Sequence, residues 1–312
     1  MMEIYLPIAG MSINFFLVIG IGGMVGFLSG LFGVGGGFLL TPLMMMVGIP
    51  PAVAAASDSC QIVAAASSGA YAHWRLGNVD FKMGLVILAG GITGSTLGVQ
   101  LVKVLRAMGN FEFVMKAVYV LMLGLVGGAM FLESLRTIRR SRAADTCTLA
   151  PSEPKLAKLF AKLPLKMEFT RSGINTSAIF PFTIGTLVGI MAALLGVGGG
   201  FIMVPAMIYI IGMPTIAAIG TDLFQIVLTS ASVTLQQAFV NKTVDLLLAL
   251  ILLMGSTIGA QFGAMVGKRL RGEQIRILLA IIVLTLTVKL FLDLVITPED
   301  LVSLAPAKGG GH

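Results

Sequence analysis

Two short polar sets interrupt otherwise apolar sequence: Ser57-Asp58-x-x-Gln61 and Thr221-Asp222-x-x-Gln225. In each, a carboxylate and an amide stand three residues apart, on one face of a helix. A carboxylate inside a membrane span costs several kcal/mol unless it is paired, so it marks a functional position by default. Asp58 and Asp222 could carry a coupling proton, hold a coupling cation with nearby carbonyls, or cap backbone N–H groups. The sequence leaves these three roles open for them and for the adjacent Ser57 and Thr221. Gln61 and Gln225 are the better direct ligands for an anion, because an amide donates hydrogen bonds without a charge.

Upstream of each polar set lies a glycine cluster. Gly33–Pro42 reads GVGGGFLLTP and Gly196–Pro205 reads GVGGGFIMVP. Irregular backbone is tolerated at membrane depth only where protein buries it or a wet cavity borders it. Paired Gly-interrupted segments in two halves of a chain point to a transporter's binding site. Glycine lets a ligand approach the backbone closely, and a helix opening after it presents unpaired N–H groups. The candidate substrate-binding set is therefore Gly35, Gly36, Gly37 and Gln61 with Gly198, Gly199, Gly200 and Gln225.

The surrounding elements must hold these residues inside a bilayer. The chain is 57% hydrophobic and 11% charged, with a mean hydropathy of +0.99. Soluble domains carry about a quarter charged residues, so an all-α polytopic membrane protein is expected. Its long apolar runs lack the alternation of barrel strands. No cleavable signal peptide is expected, since the first apolar run is long and has no basic region before it. The runs divide into a first membrane repeat over 14–132, a basic linker over 133–177 and a second repeat over 178–296. Met1–Ile13 reads as a short amphipathic lead. Each repeat is expected to hold a glycine-linked broken-helix pair and three full spans.

The duplication is explicit. Gly33–Pro42 matches Gly196–Pro205 at an offset of 163; Asp58 and Gln61 match Asp222 and Gln225 at 164; Asp80, Gly90, Gly94 and Gly98 match Asp245, Gly255, Gly259 and Gly263 at 165. Glycines spaced by three and four share a helix face and predict tight helix contact. The linker holds nine Lys/Arg against four acids, which makes it cytoplasmic by the positive-inside rule. Inverted repeats collect more of the chain's basic residues on that side than parallel repeats do. Inverted halves are therefore expected, with both termini outside.

Other groups weigh less. Arg75 ends a span and is a candidate access-path cation. Ser67, Ser68, Thr229, Ser230 and Ser232 could line a path, although hydroxyls in spans more often bond their own helix. Glu112 and Lys116 read as a local i,i+4 pair. No nucleophile–His–acid set or metal-ligand spacing occurs, so neither an enzyme, a metal site nor a cofactor is expected. The net charge of +7 reflects membrane-flanking loops and no nucleic-acid partner.

A duplicated GxGGG-x₄-P stretch after an apolar run, with a basic central loop, resembles the sulfite exporter TauE/SafE family. The resemblance spans Asn14–Ile296. It implies transport, often outward, of sulfur-containing anions such as sulfite, sulfonates or related organic acids. The expected partners are a small anionic substrate and the lipid bilayer of the cell's inner membrane. The expected mechanism is secondary transport by alternating access, coupled to a proton or sodium. The rival readings are a passive anion channel on the same scaffold and a scaffold or sensor acting through the linker. The oligomeric state stays open.

Overall fold

The computed structural model describes residues 3–32, 37–141, 166–169, 174–267 and 272–295. Gly33, Val34, Gly35 and Gly36, most of the central linker, and Lys268–Arg271 lie outside them. The first half contains β1 (Glu3–Leu6), β2 (Met11–Asn14), α1 (Phe15–Phe32), α2 (Gly37–Met46), α3 (Pro51–Arg75), α4 (Phe81–Ala107) and α5 (Phe111–Ser141). The second contains β3 (Lys166–Phe169), β4 (Ile174–Ser177), α6 (Ile179–Leu195), α7 (Gly200–Pro205, continued by a π turn over Ala206–Ile211), α8 (Thr215–Gln236), α9 (Leu246–Gly267) and α10 (Gly272–Val295). The chain is a multi-pass helical membrane protein. Among the described residues, four helices are long and apolar enough to cross a membrane: Phe81–Ala107, Thr215–Asn241, Leu246–Gly263 and Leu278–Val295. At 25 residues, α3 is long enough by rise, but its polar set lowers its hydropathy. That set is buried in protein, which is why the helix can carry it.

Local chemistry ends and starts these helices where expected. Pro51 opens α3 at the first helical position and Pro214 precedes α8. Asp80 caps α4, its Oδ1 accepting from the Met83 N–H at 3.2 Å. Asp245 does the same before α9, from the Leu248 N–H at 3.2 Å. Glu112 and Lys116 form the expected pair at 2.7 Å.

The chain starts differently from the sequence reading. Glu3–Leu6 and Met11–Asn14 pair as an antiparallel hairpin, with Glu3 opposite Asn14 and Leu6 opposite Met11. A second hairpin pairs Lys166–Phe169 with Ile174–Ser177, inside the stretch assigned to the linker. Their positions match at the repeat offset of 163, so each half begins with a hairpin ahead of its first helix. At the other end, α5 runs on to Ser141.

The halves interlock. The first helix of each packs on the fourth helix of the other. Gly22, Gly26 and Gly30 of α1 lie against backbone at Leu252, Ser256 and Ala260 of α9, whose Gly255, Gly259 and Gly263 lie against Ile19, Gly23 and Phe27. In the matching pair, Gly90, Gly94 and Gly98 of α4 lie against Phe182, Thr186 and Ile190 of α6. A Cβ on Gly94 or Gly259 would stand 2.0 Å from a backbone oxygen of the facing helix. Only glycine permits that approach, the small-residue packing that lipid favours. α3 meets α8 at the centre and α5 meets α10 at the side. Such reciprocal contact is the signature of a two-fold relation. Large apolar side chains such as Leu85, Leu97, Leu250 and Phe262 face outward, whereas Ser57, Asp58, Gln61, Thr221, Asp222 and Gln225 are buried. Polar groups inside and apolar groups outside suit a lipid solvent.

Candidate functional site

The two glycine-linked short helices meet at the centre. Phe38 of α2 and Phe201 of α7 stack with ring centroids 4.7 Å apart and planes 9° from parallel. These residues are repeat equivalents. The position of a Cβ on Gly37 lies 3.2 Å from the carbonyl oxygen of Val197, so the start of α2 touches the second glycine loop. That loop begins where α6 ends on Gly196 (φ 74°), whose N–H donates to Ala192 at 2.9 Å. Gly198 (φ 71°) and Gly199 (φ 87°) are also left-handed, a conformation in which L side chains are strained. Gly196 docks so closely on Ala55 of α3 that a Cβ would overlap that backbone. A small apolar cavity borders the loop, lined by Phe38, Tyr119, Leu195, Val197, Gly199 and Phe201.

The two acids lie beside the short helices, but the two halves treat them differently. Asp58 accepts a hydrogen bond on Oδ2 from the Thr41 hydroxyl of α2 at 2.7 Å. Beside Thr41 and Asp58 stands Tyr119 of α5, whose hydroxyl donates to the Leu195 carbonyl at the end of α6. The repeat equivalent of Thr41 is Val204, which has no hydroxyl, and α10 carries no tyrosine. Asp222 instead lies against the start of α7, with Oδ2 2.7 Å from the position of a Cβ on Gly200. Asp222 is 3% exposed, and its Oδ1 has no hydrogen-bond partner among the described residues. Oδ1 of Asp58 is likewise unpartnered among them.

The amides diverge in the same way. Gln61 Nε2 donates across the half-to-half boundary to Ser256 Oγ of α9 at 2.6 Å. Gly91 occupies the equivalent place on α4, and Gln225 Nε2 turns to Thr229 Oγ1 of its own helix at 2.7 Å. The residue matching Thr229 is Ala65. Each Gln thus keeps one hydroxyl partner, supplied from opposite sides.

Ser57 and Thr221 tie the centre to the capping acids. Ser57 Oγ accepts from the Asp245 N–H at 3.1 Å, and Thr221 Oγ1 accepts from the Asp80 N–H at 3.0 Å. Asp245 also accepts from the Ile8 N–H in the first hairpin at 3.1 Å. Arg75 is exposed at the end of α3, 5.9 Å from the centroid of the Tyr71 ring. It stands 14 residues beyond Gln61, about 21 Å along the helix. Gly35 and Gly36 lie outside the described residues. Among the described residues, no group of three metal-ligating side chains gathers. Sequence reading missed Thr41, Tyr119 and Ser256. The Thr41/Val204 and Gly91/Ser256 differences within the repeat were the available signal.

Residues 18–290 match the profile of the family described as Sulfite exporter TauE/SafE. The chain belongs to that family. It is 29% identical over 284 residues to the probable membrane transporter protein YjnA of Bacillus subtilis, covering 90% of this chain and all of the relative. It is 29% identical over 258 residues to a probable membrane transporter protein of Xylella fastidiosa, covering 81% of this chain and 85% of the relative. It is 32% identical over 100 residues to the Arabidopsis thaliana sulfite exporter TauE/SafE family protein 1, covering 32% of this chain and 22% of that protein. No solved structure matches it. TauE/SafE proteins are membrane transporters and not an enzyme class, so the buried acids and amides of this TauE/SafE chain belong to a transporter.

Proposed function

We propose that this chain is a secondary transporter that exports a small sulfur-containing anion, such as sulfite or a sulfonate, across the cell's inner membrane by alternating access. The observation that carries the reading is the meeting of α2 and the second glycine loop at the Phe38–Phe201 stack, with Asp58 held to α2 and Asp222 against the start of α7. Interlocked halves around one central site can open to either side in turn. Inverted repeats, favoured by the distribution of basic residues over the loops with the linker taken as cytoplasmic, would make the two openings equivalent. The linker then faces the cytoplasm and both termini the outside.

In this reading the anion binds at the glycine backbone of Gly35–Gly37 and Gly198–Gly200, flanked by Gln61 and Gln225. Arg75 serves as an access-path cation. Asp222 is the coupling acid, because its carboxylate already occupies the mouth of the second loop. A like charge there repels the substrate until a proton or sodium neutralises it. Asp58, tied to Thr41, holds α2 in place. The same coupling runs either way, set by the sum of the anion and cation gradients. Export follows from what the family's name describes.

Binding is tested by thermal unfolding of the purified protein with sulfite, methanesulfonate and chloride. A ligand bound only by the folded state raises Tm. The reading expects a rise with the two sulfur anions above that with chloride. Equal responses to all three would contradict it.

A further inference from the structure

Three side chains of α8 face the second glycine loop at i, i+4, i+8 spacing: Asp222, Ile226 and Ser230. Cβ positions built on Gly200 fall 2.7 Å from Asp222 Oδ2 and 2.4 Å from Ile226 Cδ1, and that on Gly198 falls 3.1 Å from Ser230 Oγ. Residues at this spacing form one stripe on a helix. Ser230 is fully buried, and its hydroxyl has no hydrogen-bond partner among the described residues. Hydroxyls on these helices ordinarily bond back to their own helix. Ser59 does so to Ala55, Thr96 to Ile92, Thr257 to Leu253 and Thr287 to Val283. Ser230 turns to the glycine loop instead. A buried hydroxyl left unpaired is destabilising, a loss that a ligand would recover. The equivalent stripe on α3 is Asp58, Ile62 and Ala66, so the hydroxyl exists in the second half alone.

We infer that Ser230 is a substrate-binding residue, donating its hydroxyl hydrogen to an oxyanion oxygen of the substrate beside Gly198. This rests on the anion-transport reading above and places the anion off the two-fold, against α8. The anion enters as the loop parts from α8, which three left-handed glycines in four residues permit. Eight residues separate Ser230 from Asp222, about 12 Å by helical rise. The anion and the coupling cation therefore bind at opposite ends of one stripe with Ile226 between, close enough to attract and too far apart to form a contact pair.

The test is isothermal titration of the purified full chain with sulfite and with methanesulfonate, for wild type, Ser230→Ala and Ser230→Cys. Alanine is the residue the first half carries at this position and it removes the unpaired hydroxyl, so Ser230→Ala is expected to keep or raise the ligand-free Tm. It should weaken both anions about tenfold, the effect of one hydrogen bond to a charge. Ser230→Cys, a weaker donor of similar size, should fall between, and it decides the question if the alanine variant does not fold. Unchanged Kd in the folded variants, with wild type binding, overturns the Ser230 assignment and leaves the transport reading intact. A wild-type protein that binds neither anion overturns both.

Discussion

The two halves share a frame and differ at its centre. Both build an apolar first helix, a short helix opened by Gly37 or Gly200, and a polar helix opened after proline. Both place a glycine row of the fourth helix on the first helix of the other half. Yet Asp58 is held by Thr41 and Asp222 by no counterpart among the described residues, since Val204 fills that place. Gln61 reaches across to Ser256 where Gln225 reaches along its own helix to Thr229. Duplication supplied two equal frames, and side-chain changes within them separated a braced half from one whose acid is left at the loop. Equal carboxylates at equal positions would compete for one role. In the reading proposed above, unequal partners let one brace the fold and the other respond to a cation.

The shared frame should break identically on both sides. Gly94→Ala and Gly259→Ala each put a Cβ about 2.0 Å from a facing carbonyl oxygen. Each is expected to cost on the order of 3 kcal/mol or more and to remove the folded peak in size-exclusion chromatography. Tolerance of one and not the other would show that the two helix pairs are not equivalent. The unequal centre should respond to exchange. Val204→Thr gives Asp222 the donor that Asp58 has, and is expected to weaken the cation dependence of transport about tenfold, read from flux against cation concentration. Thr41→Val removes that donor from Asp58 and is expected to lower stability by about 1–2 kcal/mol, read by denaturant titration, with cation dependence kept. Ser256→Gly should cost about 1 kcal/mol. Adding Ala65→Thr should restore most of it by giving Gln61 the partner that Gln225 uses. A double variant no better than the single one would mean the two amide arrangements are not interchangeable.

Much of the frame was legible in the sequence because lipid leaves the backbone few choices. Glycine clusters that end apolar runs had to break helices, and Gly90, Gly94 and Gly98 had to face a close neighbour. Which neighbour was not legible: a glycine row shows that contact is tight, and nothing in it names α6 of the opposite half. The hairpins at residues 3–14 and 166–177 were hidden because eight-residue ladders carry little hydropathy signal beside 20-residue spans. Asp58, Asp222, Gln61 and Gln225 stood out as polar residues in apolar runs. Their partners did not, because Thr41, Ser256 and Tyr119 are ordinary residues until the fold brings them within reach.

The division between the two acids is tested most directly by sulfite flux into proteoliposomes, with and without an imposed proton or sodium gradient, for wild type, Asp58→Asn and Asp222→Asn. The account expects the gradient to accelerate flux in wild type and in Asp58→Asn, whose loss is in stability. In Asp222→Asn, flux should be the same with and without the gradient. An Asp222→Asn protein whose flux still follows the gradient, or an Asp58→Asn protein whose flux does not, would contradict it.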